Sequence, residues 1–182
     1  KGIEWSIDNK ANIVSLSLGI DYTTFTNCYD VATSLAVENA TSLGVLVVVA
    51  AGNEGPSSAT TAAPACAKSS LTIGMVNDGS NGATPTDRVV SESSRGATND
   101  NRTKPDIVAP GKWIDSTLNS THYRRSSGTS TATPHVTGVA SLFMEKYRST
   151  FGYLPTPELV KTVLLTAVNT TGMQSDGYTQ RN

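Results

Sequence analysis

The chain contains no apolar run long enough to cross a bilayer. Its longest, residues 45–51, falls far short of the roughly 20 residues that a spanning helix needs. Neither sign of charge is in excess: 14 Lys and Arg against 15 Asp and Glu leave a formal net charge of -1. That balance argues against a nucleic-acid or polyanion partner. No phosphate loop or dinucleotide fingerprint is present. The Gly-x-Ser-x-Gly elbow of the α/β-hydrolases is missing too, because Gly128-Thr129-Ser130-Thr131-Ala132 lacks the final glycine. Acidic residues are scattered and form no contiguous calcium loop, so no residue is assigned as a metal ligand and no cofactor is required. Histidine is scarce, with only His122 and His135. Cysteine is equally scarce, and the pair Cys28 and Cys66 allows either one disulfide or two small buried thiols. No signal peptide is visible, and an internal fragment would not show one.

What is present suits a globular enzyme. A chain of 182 residues buries a sizeable single core. Charged residues make up only 16% of it while Ser, Thr and Asn abound, a balance common in secreted proteins. Periodicity predicts the end of a helix over 2–9 and a strand over 12–18. A helix over 30–43 follows, with Ala32, Ala36, Ala40 and Leu43 on one face and Gly44 as its stop. Residues 45–51 are continuous and β-branched, as in a central parallel strand buried on both faces. Further strands are expected over 70–76 and 107–109, with an exposed loop rich in Gly, Asn, Thr and Pro over 78–88. A helix over 130–147 precedes a last one over 157–167, which Thr156, Pro157 and Glu158 open as cap, first-turn proline and first-turn acid. Alternating strands and helices predict a doubly wound α/β layer. No internal repeat or linker marks a second domain.

Ser130 is the residue with the most chemistry around it. The run Gly128-Thr129-Ser130-Thr131-Ala132-Thr133-Pro134-His135 places a serine at the first turn of a helix. There, free N–H donors and the positive end of the dipole favour an oxyanion. Gly128 allows a sharp turn and close approach of a substrate, and Pro134 fits an opening turn. Val136, Val139, Ala140, Phe143 and Tyr147 follow at helical spacing, while Ala132, Gly138 and Ala140 allow tight packing.

This run resembles the nucleophile segment of the subtilisin-like serine proteases, the subtilases. Val45-Leu46-Val47-Val48-Val49-Ala50-Ala51-Gly52-Asn53-Glu54-Gly55-Pro56 resembles that family's strand leading to its oxyanion-hole asparagine. Asn12-Ile13-Val14-Ser15-Leu16-Ser17-Leu18-Gly19 resembles its substrate-binding strand, and Thr103-Lys104-Pro105-Asp106-Ile107-Val108-Ala109-Pro110-Gly111 a structural stretch before the serine. The four segments occur in the family's order over nearly the whole chain. The resemblance implies a three-layer, doubly wound, mostly parallel α/β sheet, incomplete at its N-terminal side, with residues 1–182 as part of one peptidase domain. It implies serine endopeptidase activity through an acyl-enzyme on Ser130, with Asn53 in the oxyanion hole. A peptide or protein substrate is expected against Ser17, Leu18, Gly19, Ala50, Ala51, Gly52 and Thr129. A secreted or lumenal location and an optional structural calcium come with the resemblance as well.

A serine needs a base, and the base needs an orienting group. In the subtilases the aspartate and the histidine precede the segments matched here, so both are expected from an upstream segment, and the 182 residues alone are expected to be inactive. His135 matches a family histidine that is not the base and reads as a locally packed residue. His122 reads as a solvated loop residue. By resemblance, Cys28 and Cys66 flank one pocket, which makes pairing geometrically feasible. Thr131 stands where the family usually has methionine, Ala65 where a glycine often rims the main specificity pocket, and Ile20-Asp21 where a second glycine is frequent. Two other readings stay open at this level. One is a catalytically inactive relative that binds peptides on the same groove, and the other an unrelated α/β hydrolase or ligand-binding module. Upstream sequence would separate the first, and the absent elbow and loops count against the second.

Overall fold

The computed structural model describes residues 1–20, 27–79 and 87–168. Within them the order is α1 (Gly2–Asp8), β1 (Ile13–Leu16), a 3-10 turn at Cys28–Asp30, α2 (Ala32–Ser42), β2 (Leu46–Ala50) and β3 (Leu71–Asn77). Then follow β4 (Arg88–Val89), β5 (Gly96–Ala97), β6 (Thr103–Lys104), β7 (Ile107–Pro110), β8 (Ile114–Thr117), β9 (Tyr123–Ser126), α3 (Thr129–Phe151) and α4 (Pro157–Ala167).

The apolar run over 46–50 forms β2, buried at every position. It pairs in parallel with β1 on one side and β3 on the other. Side chains alternate across a strand, and here the alternation sorts the core into two layers. Leu46 and Val48 join Ala132, Val136, Ala140 and Met144 of α3 and Val160 and Leu164 of α4. Val47 and Val49 join Val37 and Ala40 of α2, with Ile3 and Ile7 of α1 packed on. This is the three-layer, doubly wound arrangement expected, with helices on both faces of a mostly parallel sheet. Ile73 lies between Ala50 and Ile107, and Val76 between Val89 and Pro110. So β2 and the short antiparallel β4 share one edge of β3, and β7 takes the other.

Local chemistry accounts for the helix ends. Thr156 caps α4, its hydroxyl accepting from the Leu159 N–H at 3.2 Å with Pro157 in the first turn. Gly152 ends α3 in the left-handed region at φ 83°.

Several expectations need correction. The buried face of α2 is Ser34, Val37, Ala40 and Thr41; Ala32 and Leu43 are exposed. The error was one of register, since Val37 and Ala40 point at β2 and carry Ser34 and Thr41 with them. On α3, Val139 is exposed, and a Cβ added to Gly138 would meet nothing within 4 Å, so Gly138 has no packing role. The hairpin of β8 and β9 was not anticipated. All but one of its strand positions are exposed, so no apolar alternation announces it. Its cross-strand pair is ionic, with Arg125 donating to both oxygens of Asp115 at 2.9 and 2.7 Å. Most of the loop expected over 78–88 lies outside the described residues.

Candidate active site

β2 ends at Ala50, and the chain turns at Gly52 toward the start of α3. Gly52 has φ +110°, and a Cβ there would sit 2.7 Å from the Ser94 hydroxyl, so both conformation and space require glycine. The carbonyl of Gly52 accepts from Ser94 N–H at 3.0 Å. The carboxylate of Glu54 accepts from Asn53 N–H at 2.7 Å and from the Ser94 hydroxyl at 3.0 Å. These bonds hold Asn53 where strand, loop and helix meet.

Thr129 joins the two halves. It is fully buried. Its N–H donates to Asn53 Oδ1 at 2.9 Å. Its hydroxyl accepts from Gly52 N–H at 3.2 Å and lies 3.2 Å from both the Gly52 carbonyl and Asn53 Oδ1. A backbone N–H only donates, so the Asn53 atom that meets it is the carbonyl oxygen. The amide nitrogen of Asn53 is then left as a donor. Gly128 faces both groups: a Cβ there would be 2.9 Å from Ser130 Oγ and 3.6 Å from both ends of the Asn53 amide. With φ 156° and ψ 161°, Gly128 also occupies backbone space that is nearly glycine-only.

Pro134 lies inside α3, not at its opening turn, because the helix begins at Thr129. A proline has no N–H, so the carbonyl four residues earlier, that of Ser130, loses its helical donor. The Ser17 hydroxyl supplies one at 2.8 Å. Thr137 Oγ1 donates to Ser15 Oγ at 3.0 Å one turn later. Helix α3 is thereby tied to β1 and to the segment just past it.

Around this junction lies a cleft of about 490 Å³, lined on one side by Ser17, Leu18, Gly19 and Ile20 and on the other by Ala59, Thr60, Thr61 and Ala62. Ala50, Gly52, Asn53, Thr129 and Ser130 border it as well. Among the described residues, Leu18 and Gly19 make no main-chain hydrogen bond to other backbone. Of the expected site residues, only Ala51 is outside the lining. It is fully buried, and its carbonyl accepts from Ala62 N–H at 2.9 Å, which ties the 59–62 wall to the residue just past β2. Glu54, Asn99 and the 59–62 wall line the cleft without having been singled out. They are Ala, Thr and Asn on loops, with no periodic or motif signal, apart from Glu54 next to Asn53. Ala65 does not rim the cleft; it is fully buried and its carbonyl accepts from the hydroxyls of Ser70 and Thr72.

Cys28 and Cys66 form a disulfide, which decides between the two readings of the pair. Cys66 N–H donates to Ala62 O at 3.0 Å, so the bridge anchors the 59–62 wall from behind. The Thr131 side chain is turned to hydrogen bonding beside Ser130. Its hydroxyl lies 2.8 Å from Gly111 O and 2.7 Å from Gly128 O. Neither histidine serves Ser130. His135 Nδ1 bonds Thr131 O at 2.9 Å, and His122 Nδ1 bonds the side chains of Thr121 and Asn119 in an exposed hairpin turn.

Among the described residues no three His, Cys, Asp or Glu side chains gather as metal ligands. The carboxylate of Asp106 and the carbonyl of Ser70 do converge, but on the ammonium groups of Lys104 and Lys161. A calcium ion does not fit oxygens already holding two cations. No helix of the described residues is long and apolar enough to cross a membrane.

Comparison with known proteins gives the family of the chain. Residues 1–181 match the family model described as "Subtilase family". The serine protease AprX of Bacillus subtilis (strain 168) is 36% identical over 167 residues, covering 80% of this chain and 38% of that protein. A subtilisin of Bacillus pumilus is 37% identical over 148 residues, covering 80% and 47%. Among solved structures, a cold adapted subtilisin-like serine proteinase superposes with a TM-score of 0.73 at 29% identity, over 94% of this chain and 54% of that one. The self-cleaved protease domain of PatA also gives 0.73, at 30% identity, over 92% and 58%. The chain thus spans less than half the length of these curated relatives.

Proposed function

Because this chain belongs to the subtilase family of serine proteases, we propose that it carries the nucleophile, the oxyanion donors and one substrate edge of a serine endopeptidase. The observation that carries the reading is the fixed orientation of Asn53. Thr129 N–H engages the carbonyl oxygen of its amide, which leaves the nitrogen to donate beside Ser130, across Gly128. In this mechanism a peptide lies extended along Ser17, Leu18 and Gly19. Ser130 Oγ attacks the scissile carbonyl, and its proton passes to a general base. The oxyanion receives hydrogen bonds from Asn53 Nδ2 and from the Ser130 N–H at the start of α3. The C–N bond then breaks, the amine leaves with the proton held by the base, and water hydrolyses the acyl-enzyme. Since neither histidine of the chain faces Ser130, the base and its orienting aspartate come from residues outside these 182.

The Cys28–Cys66 disulfide supports action in an oxidising compartment, and the near-neutral charge supports peptides rather than nucleic acid as partners. The test uses the assembled protease with Ser130→Ala and Asn53→Leu. Ser130→Ala should abolish both peptide turnover and labelling by a fluorophosphonate. Asn53→Leu should lower kcat by on the order of a hundredfold or more at nearly constant KM, a magnitude whose reference case is a subtilisin. Turnover that survives Ser130→Ala would overturn the reading.

A further inference from the structure

Lys104 is among the largest fully buried side chains of the molecule, with 2% of its surface exposed. None of its polar partners lines the cleft. Its ammonium donates to Asp106 Oδ2 at 2.7 Å, to the Ser70 carbonyl at 2.9 Å and to the Ser70 hydroxyl at 3.2 Å. Lys161, reaching in from α4, donates to the same Ser70 carbonyl at 2.7 Å and lies 3.1 Å from Asp106 Oδ1. The oxygens continue outward. Ser70 Oγ lies 2.9 and 2.8 Å from the carbonyls of Ala65 and Ala67, and Thr72 Oγ1 lies 2.6 Å from that of Ala65. Asp106 Oδ2 also accepts from Thr72 N–H at 2.7 Å. On the α2 side, Glu38 accepts from the N–H groups of Lys68 and Ser69 at 2.6 and 3.2 Å.

A carboxylate, a main-chain carbonyl and a hydroxyl converge on this buried positive charge, and such oxygens are the donors with which a protein surrounds a hard cation. Here the positive charge is covalently part of the chain. We propose that the Lys104 ammonium is a built-in cation, filling an oxygen cluster made by Ser70 and Asp106 that would otherwise hold a metal ion. The fold at this point is therefore independent of bound metal. Burial, and then the neighbouring Lys161, hold the Lys104 pKa down to about 8 against the attraction of Asp106; burial disfavours the charge, yet a value near 8 leaves the ammonium mostly protonated at neutral pH. The missing charge in a Lys104 variant is +1, and Lys161 remains beside Asp106. A monovalent ion is therefore the expected replacement, and calcium, adding a second charge next to Lys161, the poorer one.

The experiment is thermal unfolding of the assembled protease and its Lys104→Ala and Lys104→Gln variants. Each is measured in sodium, potassium, calcium and tetramethylammonium chlorides at equal ionic strength, with a chelator in the metal-free arms. The wild-type chain should melt at the same temperature in sodium, potassium and tetramethylammonium salts. Lys104→Ala, which leaves room for an ion, should melt lower in tetramethylammonium and recover by at least about 2–4 °C in sodium or potassium, the shift that roughly 1 kcal/mol gives a chain of this size. Lys104→Gln, which keeps a neutral donor in place, should respond less. The proposal is overturned if the variants respond to the salts no more than the wild type does. It is equally overturned if neither variant folds in any metal salt, since then no cation can stand in for the ammonium.

Discussion

Replacing Thr129 by valine removes one hydroxyl while keeping shape and volume, and the hydrogen bonds around it let the effect be worked out. Three groups touch that hydroxyl. The Gly52 carbonyl retains Ser94 N–H as a donor, and Asn53 Oδ1 retains Thr129 N–H. Only the Gly52 N–H, 3.2 Å from the hydroxyl, is left without a partner. A buried donor stripped of its acceptor costs about 1–3 kcal/mol. The bond is long and Gly52 is only half-buried, which places the expected loss near 1 kcal/mol, or about 2–4 °C in melting temperature. Thr129→Ser keeps the hydroxyl and loses a fully buried methyl, at a similar cost of roughly 1 kcal/mol. The two variants should thus be about equally destabilised yet differ in catalysis. In the valine variant Asn53 rests on a single bond and its amide is less firmly aimed, so kcat should fall several-fold with KM little changed. The serine variant should keep kcat. Steady-state kinetics on a chromogenic peptide, with melting curves beside them, decide the matter. Equal kcat in the two variants would refute the role assigned to the Thr129 hydroxyl.

Other consequences can be measured in the same way. The 182-residue chain by itself should hydrolyse a chromogenic peptide no faster than its Ser130→Ala variant, because neither His122 nor His135 bonds Ser130; a rate that depends on Ser130 would point to a base within the chain. Gly128→Ala puts a Cβ 2.9 Å from Ser130 Oγ in nearly glycine-only backbone space, so it should cost about 1–3 kcal/mol and slow fluorophosphonate labelling of Ser130; unchanged labelling would show that the serine does not need that space. On the acid side, Lys112 beside Glu92 and Arg102 beside Asp100 hold both carboxyls down to about 2. The folded state therefore binds their protons less readily than the unfolded chain. Their contribution is fully present above the ordinary carboxylate range and is lost as pH falls toward 2. Both pairs face solvent, so the double variant Glu92→Gln/Asp100→Asn should flatten the melting temperature between pH 5 and 2 only slightly, and less so in high salt; an acid loss equal to that of the wild type would assign the acid sensitivity to other groups.

Much of the fold was legible because its signals are local. The β-branched run over 46–50 makes a strand in any context that buries it. Thr156, Pro157 and Glu158 announce a helix start through bonds made within one turn. Ser130 and Asn53 were singled out by segments that resemble the family's, and the structure adds that glycine is required beside each, at Gly128 and Gly52. The hairpin of β8 and β9 was illegible because its strands are polar on both faces, and the register of α2 because Ala, Val, Thr and Ser share two of its faces.

The sequence by itself therefore determined the layered α/β class and the family, since each rests on residue types within a few positions of one another. Tertiary structure alone decided the rest, through contacts between distant segments. It decided which end of the Asn53 amide faces Thr129, 76 residues away. It decided that the helical bond removed by Pro134 is replaced by Ser17 across 113 residues, and that Cys28 pairs with Cys66 behind the cleft wall. It also decided that Lys104, unremarkable in a hydrophilic stretch, ends as a buried cation on Ser70. A hydrogen bond between distant segments leaves no periodic trace in the chain, because its partners are matched in space and not in spacing.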